Sequence, residues 1–164
     1  EVSRKEWDRG LRDQQPLTLL LLDVDFFKKY NDFYGHGEGD RCLHHIGQAL
    51  KASIMRTSDV AARYGGEEFA LLLPNTKASG GVQVAERVNA FIDGLAIKHE
   101  FSDVASHVTV SIGIATISAN PSQSMADLLK QADIALYQAK ANGRHQFVVY
   151  QAPVTAIASS TASS

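Results

Sequence analysis

The chain has 164 residues, 45% of them hydrophobic and 21% charged, enough for one domain with a real core. Sixteen basic residues against eighteen acidic ones leave a net charge of −2, which provides no electrostatic footprint for nucleic acid. No apolar stretch approaches the ~20 residues of a membrane span.

Residues 1–15 are polar, with Val2, Trp7 and Leu11 as apolar positions, and predict a lead-in helix that ends at Pro16. Leu17-Thr18-Leu19-Leu20-Leu21-Leu22 follows as a nearly unbroken apolar run. A run without alternation is a strand buried on both faces, or a buried helix. Its shortness and the charged end, Asp23-Val24-Asp25, favour the strand. Glu38–Ser53 predicts a helix, with Leu43, Ile46, Leu50 and Ile54 at helical spacing. Cys42, the single cysteine, falls in that helix and reads as a small buried apolar group. His44 and His45 are adjacent there, cannot point the same way, and read as surface residues.

Val60–Tyr64 and Phe69–Leu73 predict two short strands. Gly65-Gly66 between them predicts a hairpin with a type I′ turn, both glycines at φ > 0. Glu67 and Glu68 then sit at its mouth on opposite faces of the ribbon. Pro74-Asn75-Thr76 ends the hairpin. Ala78–Leu95 predicts a helix with Val82, Ala85, Val88, Ile92 and Leu95 on one face. Val108–Ala115 reads as a strand, and Met125–Ala141 as a helix with Leu128, Leu129, Ala132, Leu136 and Ala139 inward. Phe147–Tyr150 is a last short strand. This order predicts an α+β fold, helices against a mostly antiparallel sheet. Residues 1–150 form that domain, and 151–164 a low-complexity Ala/Ser/Thr tail without periodicity and without assigned function.

Two acidic strand ends carry the chemistry. A Glu-Glu hairpin tip alone is most simply a solvated tip. Carboxylates at the end of a buried strand are different, because they are costly unless paired or bound to a cation. Hard divalent cations take oxygen ligands, often one or two carboxylates plus substrate phosphates. If the strand and hairpin are neighbours in one sheet, Asp23 and a hairpin glutamate could share such an ion. Two acidic strand ends converging on metal is a phosphoryl-transfer layout.

These segments together resemble the GGDEF family, whose members are diguanylate cyclases. The resemblance rests on Asp23-Val24-Asp25-Phe26-Phe27-Lys28-Lys29-Tyr30-Asn31-Asp32, on Gly35-His36 and Gly39-Asp40, and on Arg63-Tyr64-Gly65-Gly66-Glu67-Glu68-Phe69. It continues through Thr109-Val110-Ser111-Ile112-Gly113 and Ala132-Asp133 to Ala135-Leu136-Tyr137-Gln138-Ala139-Lys140 and Gly143-Arg144. It covers residues 17–150 in one register, with a Gly-Gly-Glu-Glu-Phe variant of the signature. It implies the ferredoxin-like palm of nucleotidyl cyclases. It also implies condensation of two GTP into cyclic di-GMP and two pyrophosphates, across a homodimer.

The resemblance implies roles residue by residue. Asp23, Glu67 and the Val24 carbonyl match the positions that hold two Mg²⁺ or Mn²⁺ ions. Phe26, Phe27 and Lys28 open a short helix, whose free N–H groups suit phosphate. Lys28 adds a charge that could stabilise the transition state. Lys140 and Arg144 lie four apart on one helix face, and by spacing alone are cations at a helix C-terminus with Gly143 as cap. The family match puts both on the triphosphate. Asn31 and Asp40 match the guanine-reading pair, although a turn residue and a helix N-terminal charge are also common uses. His36 lies near the nucleotide. Glu68 is the candidate proton acceptor, worth ~10²–10⁴-fold in rate where one is needed. Arg56-Thr57-Ser58-Asp59 matches the Arg-x-x-Asp motif at which cyclic di-GMP inhibits its own synthesis, with Arg87 as a second arginine. Outside that register Arg-x-x-Asp reads as a surface ion pair.

Two function classes compete: an active cyclase, and a degenerate domain that only binds GTP or cyclic di-GMP as a receptor. Degenerate members lose a glycine or a metal carboxylate, whereas Gly65, Gly66, Glu67, Glu68 and Asp23 all stand here. A cyclase making mononucleotides would lack this hairpin signature, and a polymerase palm would need a template-binding surface. The chain begins at Glu1 and shows no signal peptide, so it reads as a piece of a longer protein. The lone cysteine suits a reducing cytoplasm and no membrane contact is expected from this piece, with sensor or anchor segments left to the longer protein.

Overall fold

The structure is a computed structural model, and it describes residues 15–118 and 123–153. Residues 1–14 of the expected lead-in helix and 154–164 of the tail lie outside the described residues. The elements are β1 (Pro16–Val24), α1 (Phe27–Tyr34), α2 (His36–Ser53), β2 (Val60–Arg63), β3 (Glu68–Pro74), α3 (Ala78–Leu95), β4 (Val110–Ser118), α4 (Met125–Ala141) and β5 (Phe147–Val149). They build one sheet of order β2-β3-β1-β4-β5. β1 runs antiparallel to both β3 and β4, and only β5 pairs parallel, with β4.

The centre of the sheet explains the unbroken apolar run. Successive side chains of a strand point to opposite faces. Leu17, Leu19 and Leu21 pack with Ala115 and Ile117 against Leu128, Ala132 and Leu136 of α4. Leu20, Leu22 and Val24 pack the other way, with Ile112 and Ile114, against a cluster that includes Leu43, Ile46 and Leu50 of α2 and Val84, Val88 and Ile92 of α3. β1 is therefore covered on both faces, and the fold is an α+β palm with helices on both sides of the sheet. Thr18, fully buried, satisfies its hydroxyl on the Thr76 carbonyl and the Thr116 hydroxyl, both at 2.6 Å. Cys42 is buried, and burial pushes its thiol up to about 12, so it serves as an apolar side chain.

Two local expectations are corrected. Among the described residues, Gly35 and Gly143 have positive φ but Gly65 and Gly66 do not. The hairpin is not a two-residue type I′ turn. It closes wider, with the Tyr64 N–H on the Glu68 carbonyl at 2.8 Å, and the Arg63 guanidinium holds the Gly66 carbonyl at 3.0 Å from Nε. Longer hairpin loops of this kind use ordinary φ values. On α3, Leu95 is exposed and Val84 is buried in the core, because the last turn of the helix runs past the edge of the hydrophobic cluster.

α4 crosses β4 very closely at Gly113. A Cβ at Gly113 would stand 2.2 Å from the Ala132 carbonyl oxygen and 2.3 Å from the Leu136 nitrogen, both backbone atoms that cannot rotate away. Gly113→Ala should therefore push α4 off the sheet. We expect a loss of about 3 kcal/mol, the upper range for overpacking, read from the urea midpoint. An unchanged midpoint would show that the crossing can relax.

Candidate active site

Asp23 continues the row Leu17, Leu19, Leu21, so its side chain leaves the sheet on the face of α4. Four residues beyond the buried Leu136 on that helix stands Lys140, and its ammonium pairs with Asp23 Oδ2. The sheet pairs Asp23 directly with Glu68. The Val24 N–H also reaches the Glu67 carbonyl at 3.3 Å, which ties the hairpin mouth to the end of β1. Glu67 lies outside the strand pairing, and its carboxyl turns towards Asp23 instead of to the opposite face. Its pKa is raised, first by burial and then by the charge of Asp23 and a hydrogen bond with it, with Glu68 adding and Lys140 opposing. Asp23 Oδ1 is buried without a hydrogen-bond partner among the described residues.

Asp25, two residues on, is taken up by donors from β4 and from the turn after α4, and is structural. It is 3% exposed and accepts from the Ser111 hydroxyl at 2.6 Å, the Thr109 hydroxyl at 2.7 Å and the His145 N–H at 3.1 Å. Three donors satisfy the oxygens of this buried carboxylate. The chain then turns through Phe26, held left-handed at φ 53°. The buried His99 fixes this turn, its Nε2 2.9 Å from the Phe26 carbonyl oxygen. Thr109, Ser111, His99 and the His145 N–H are positioning groups to which the sequence reading assigned no role. They act over 73 to 120 residues of chain, so no local spacing could reveal them.

Arg144 reaches the same turn by a different route from the one expected. α4 ends at Ala141, and Gly143 at φ 122° reverses the chain. The Arg144 N–H bonds the Ala139 carbonyl at 2.9 Å and the Gly143 N–H the Lys140 carbonyl at 3.3 Å, the pair that defines a Schellman cap. Arg144 is therefore beyond the helix, not on a face shared with Lys140. Its guanidinium nevertheless lies 4.5 Å above the Phe26 ring, with the Lys29 ammonium 5.0 Å from the same ring. Lys140 and Arg144 thus flank the β1–α1 turn. Lys28 does not, since it is exposed and pairs with Asp32 at 3.1 Å. Phe27 is buried beneath α1 and stacks on Tyr30.

Across the α1–α2 junction Asn31 meets Gly39, the residue before Asp40. Asn31 Oδ1 is buried without a partner among the described residues, and it sits where a Cβ of Gly39 would be, 1.8 Å away. Glycine at 39 makes room for the amide, and Asp40, the next residue, is exposed beside it. Asp40 also borders a groove of about 400 Å³ between α2 and the β2–β3 ribbon, lined by Leu43, Gly47, Ala62, Arg63 and Phe69 among others. His36 is exposed at the first residue of α2.

The third predicted group lies elsewhere. Arg56 donates to the Thr76 hydroxyl at 2.9 Å and the Asn75 carbonyl at 3.3 Å. Register places Pro74 opposite Leu17 and Glu68 opposite Asp23, so Arg56 is at the far end of the sheet, about 20 Å along the strand from Asp23. Asp59 closes a turn on the Arg56 carbonyl at 3.1 Å, and Arg87 bonds the Ser53 carbonyl at the end of α2 at 3.0 Å.

Comparison with known proteins agrees with this geometry. The profile of the family described as "Diguanylate cyclase, GGDEF domain" matches residues 2–146. "Diguanylate cyclase A" of Treponema denticola is 40% identical over 133 residues, which cover 81% of this chain and 35% of that protein. The chain thus spans about a third of the length of that curated relative. The active GGEEF domain of a diguanylate cyclase from Vibrio cholerae superposes with a TM-score of 0.74 at 29% identity, covering 92% of this chain and 97% of that one. The GGDEF domain of DgcB from Caulobacter crescentus, solved in complex with c-di-GMP, superposes at 0.73 and 28% identity, covering 88% and 84%.

The raised Glu67 carboxyl has a consequence for stability. A carboxyl whose folded pKa exceeds its unfolded one stabilises the fold only while protonated, and that contribution is lost as pH rises through the folded value. Glu67→Gln removes the buried charge but keeps the shape. Without divalent cations at pH 7, we expect a gain of about 1 kcal/mol, or a rise in Tm of about 2–4 °C, which disappears in acid. A lower Tm for the variant at pH 7 would contradict the electrostatic description of the site.

Proposed function

The chain belongs to the GGDEF family of diguanylate cyclase domains, and from that premise we propose that it condenses two GTP into cyclic di-GMP with release of two pyrophosphates. The observation that carries the reading is a buried Asp23, its Oδ1 without a partner among the described residues, beside a Glu67 whose ionised form is disfavoured by burial and by Asp23 itself. Two clustered carboxylates with one lysine between them have room for more positive charge, and oxygen donors suit Mg²⁺ or Mn²⁺. Asp23, Glu67 and the Val24 carbonyl would hold two such ions per site, which would neutralise the α-phosphate and acidify the attacking 3′-hydroxyl.

The chain's own groups supply the rest. Lys140 stands in for the cation on Asp23, and on GTP binding it would transfer to the triphosphate. Arg144, stacked on Phe26, would take a second phosphate oxygen, and the first N–H groups of α1, from Phe26, Phe27 and Lys28, a third. Lys28 has only an exposed i,i+4 pair with Asp32 to give up, so its swing to the terminal phosphate costs little. Asn31 and Asp40 would read guanine, Asp40 accepting from N1–H and N2–H₂ and the buried Asn31 amide completing the edge. Adenine would leave these groups unpaired. Aspartate at position 40 favours guanine in both half-sites. His36 would border the nucleotide. Glu68, beside Asp23 in register, would accept the 3′-hydroxyl proton.

Each domain presents one GTP, so the second must come from a facing copy, and the working form is a homodimer. The c-di-GMP complex of the Caulobacter relative supports product binding by this fold. Arg56, Asp59 and Arg87 would hold the product at the far end of the sheet and lock domains in orientations that cannot react. The domain would work in the cytoplasm, and no helix among the described residues is long and apolar enough to cross a membrane.

Purified protein with GTP and Mg²⁺ should yield cyclic di-GMP by chromatography, even with ATP competing. Asp23→Ala or Glu67→Ala should lower turnover at least ~10²-fold with the fold intact. Near-normal turnover in either would overturn the metal assignment.

Arg56→Ala should relieve product inhibition and spare turnover, since the residue is far from Asp23. The inhibition should be non-competitive with GTP. Inhibition that survives the substitution, or that GTP outcompetes, would remove the regulatory site and leave the cyclase reading standing.

A further inference from the structure

Away from the carboxylate mouth, three metal-ligating side chains from three separate elements converge. Asp93 lies in the last turn of α3, His107 lies before β4, and His145 follows the cap of α4. Asp93 Oδ1 is 3.0 Å from His107 Nε2 and 2.9 Å from His145 Nε2, and Asp93 Oδ2 is 3.1 Å from His145 Nε2. One ligand atom from each falls within 4.8 Å of the other two. The two imidazole rings meet edge to face at 5.8 Å. The side chains of Asp93, His107 and His145 are 38%, 29% and 31% exposed, so the cluster is held by the fold yet open to a hydrated ion.

We propose that Asp93, His107 and His145 form a second metal site, for a divalent transition ion of the Zn²⁺ class, distinct from the oxygen-lined site at Asp23. The donor set decides the class. Two imidazole nitrogens and one carboxylate suit Zn²⁺ and its neighbours, whereas Mg²⁺ takes oxygen ligands and keeps several waters. Three protein ligands with water in the fourth position make an open tetrahedral site. At Zn–N and Zn–O lengths near 2.1 Å, tetrahedral ligand atoms stand about 3.4 Å apart. The observed separations from Asp93 Oδ1 need to open by only a few tenths of an ångström, which side chains a third exposed can do.

The site has a structural connection to the catalytic end. The His145 N–H holds Asp25, and Arg144 beside it holds Phe26. Arg144 and His145 are left-handed, at φ 64° and 53°, a conformation that bulky side chains adopt only when their surroundings impose it. An ion on His145 would brace this turn from outside, tying it to α3 and to the approach of β4. The ion would bind whether or not the chain turns over GTP, so the test reads binding.

The whole chain, in saturating Mg²⁺ to occupy the oxygen site, is titrated with ZnCl₂ by calorimetry. We expect one Zn²⁺ per chain, a rise in Tm by mass action, and tetrahedral absorption bands when CoCl₂ replaces ZnCl₂. Asp23→Ala should keep this binding, and His107→Ala or His145→Ala should weaken it at least ~10-fold. In the unsubstituted protein, side-chain nitrogen resonances should shift at His107 and His145 and not at His36, His44 or His45. No uptake in saturating Mg²⁺, uptake that leaves the His107 and His145 rings unmoved, or uptake indifferent to both substitutions would each overturn the proposal.

Discussion

The structure depends on one placement, a carboxylate at the end of a strand that is buried on both faces. β1 brings Asp23 out of a row of leucines, where ionised oxygen is poorly solvated. Glu67 is drawn to the same point by the turn and by the Val24–Glu67 backbone bond. Their repulsion is answered in part by Lys140, and one Asp23 oxygen remains unanswered. Such a site is a stability cost to the fold in isolation and an asset once positive charge arrives. Functional sites commonly break the rules that the rest of a chain obeys.

The surrounding structure holds that cluster in shape. Asp25 accepts from Thr109, Ser111 and the His145 N–H, so it ties the end of β1 to β4 and to the turn after α4. His99 then pins the left-handed Phe26, which exposes one aromatic face to Arg144. Two aspartates two residues apart thus receive different environments, one satisfied and one left open. The division follows from the donors that β4 and the turn after α4 supply to Asp25 alone.

Much of this was legible in the sequence where the signal was local. The missing alternation in Leu17–Leu22 marked a strand covered on both sides, and β1 is the middle strand. The α4 boundaries followed from apolar spacing, and the capping box of Ser124 and Asp127 shows why the helix starts there. The hairpin was legible but its turn was not, because Arg63 side-chain bonds, not glycine φ values, close it. Gly143 could be read as a cap, yet a cap at 143 excludes Arg144 from the helix face shared with Lys140. The convergence of Asp23, Glu67 and Lys140 agrees with the family register. The Asp25 donors and the Asp93–His107–His145 cluster were invisible, because residues tens of positions apart meet only through the sheet.

If the Asp23–Glu67 pair is a cation site, as proposed, Lys140 is its stand-in. A crystal structure with a non-reacting GTP analogue and Mn²⁺, with the ion located by its anomalous signal, tests it directly. Anomalous density is expected between Asp23, Glu67 and the Val24 carbonyl, with Lys140 moved onto the triphosphate. Lys140 still paired to Asp23, with nucleotide bound and no ion between the carboxylates, would contradict it.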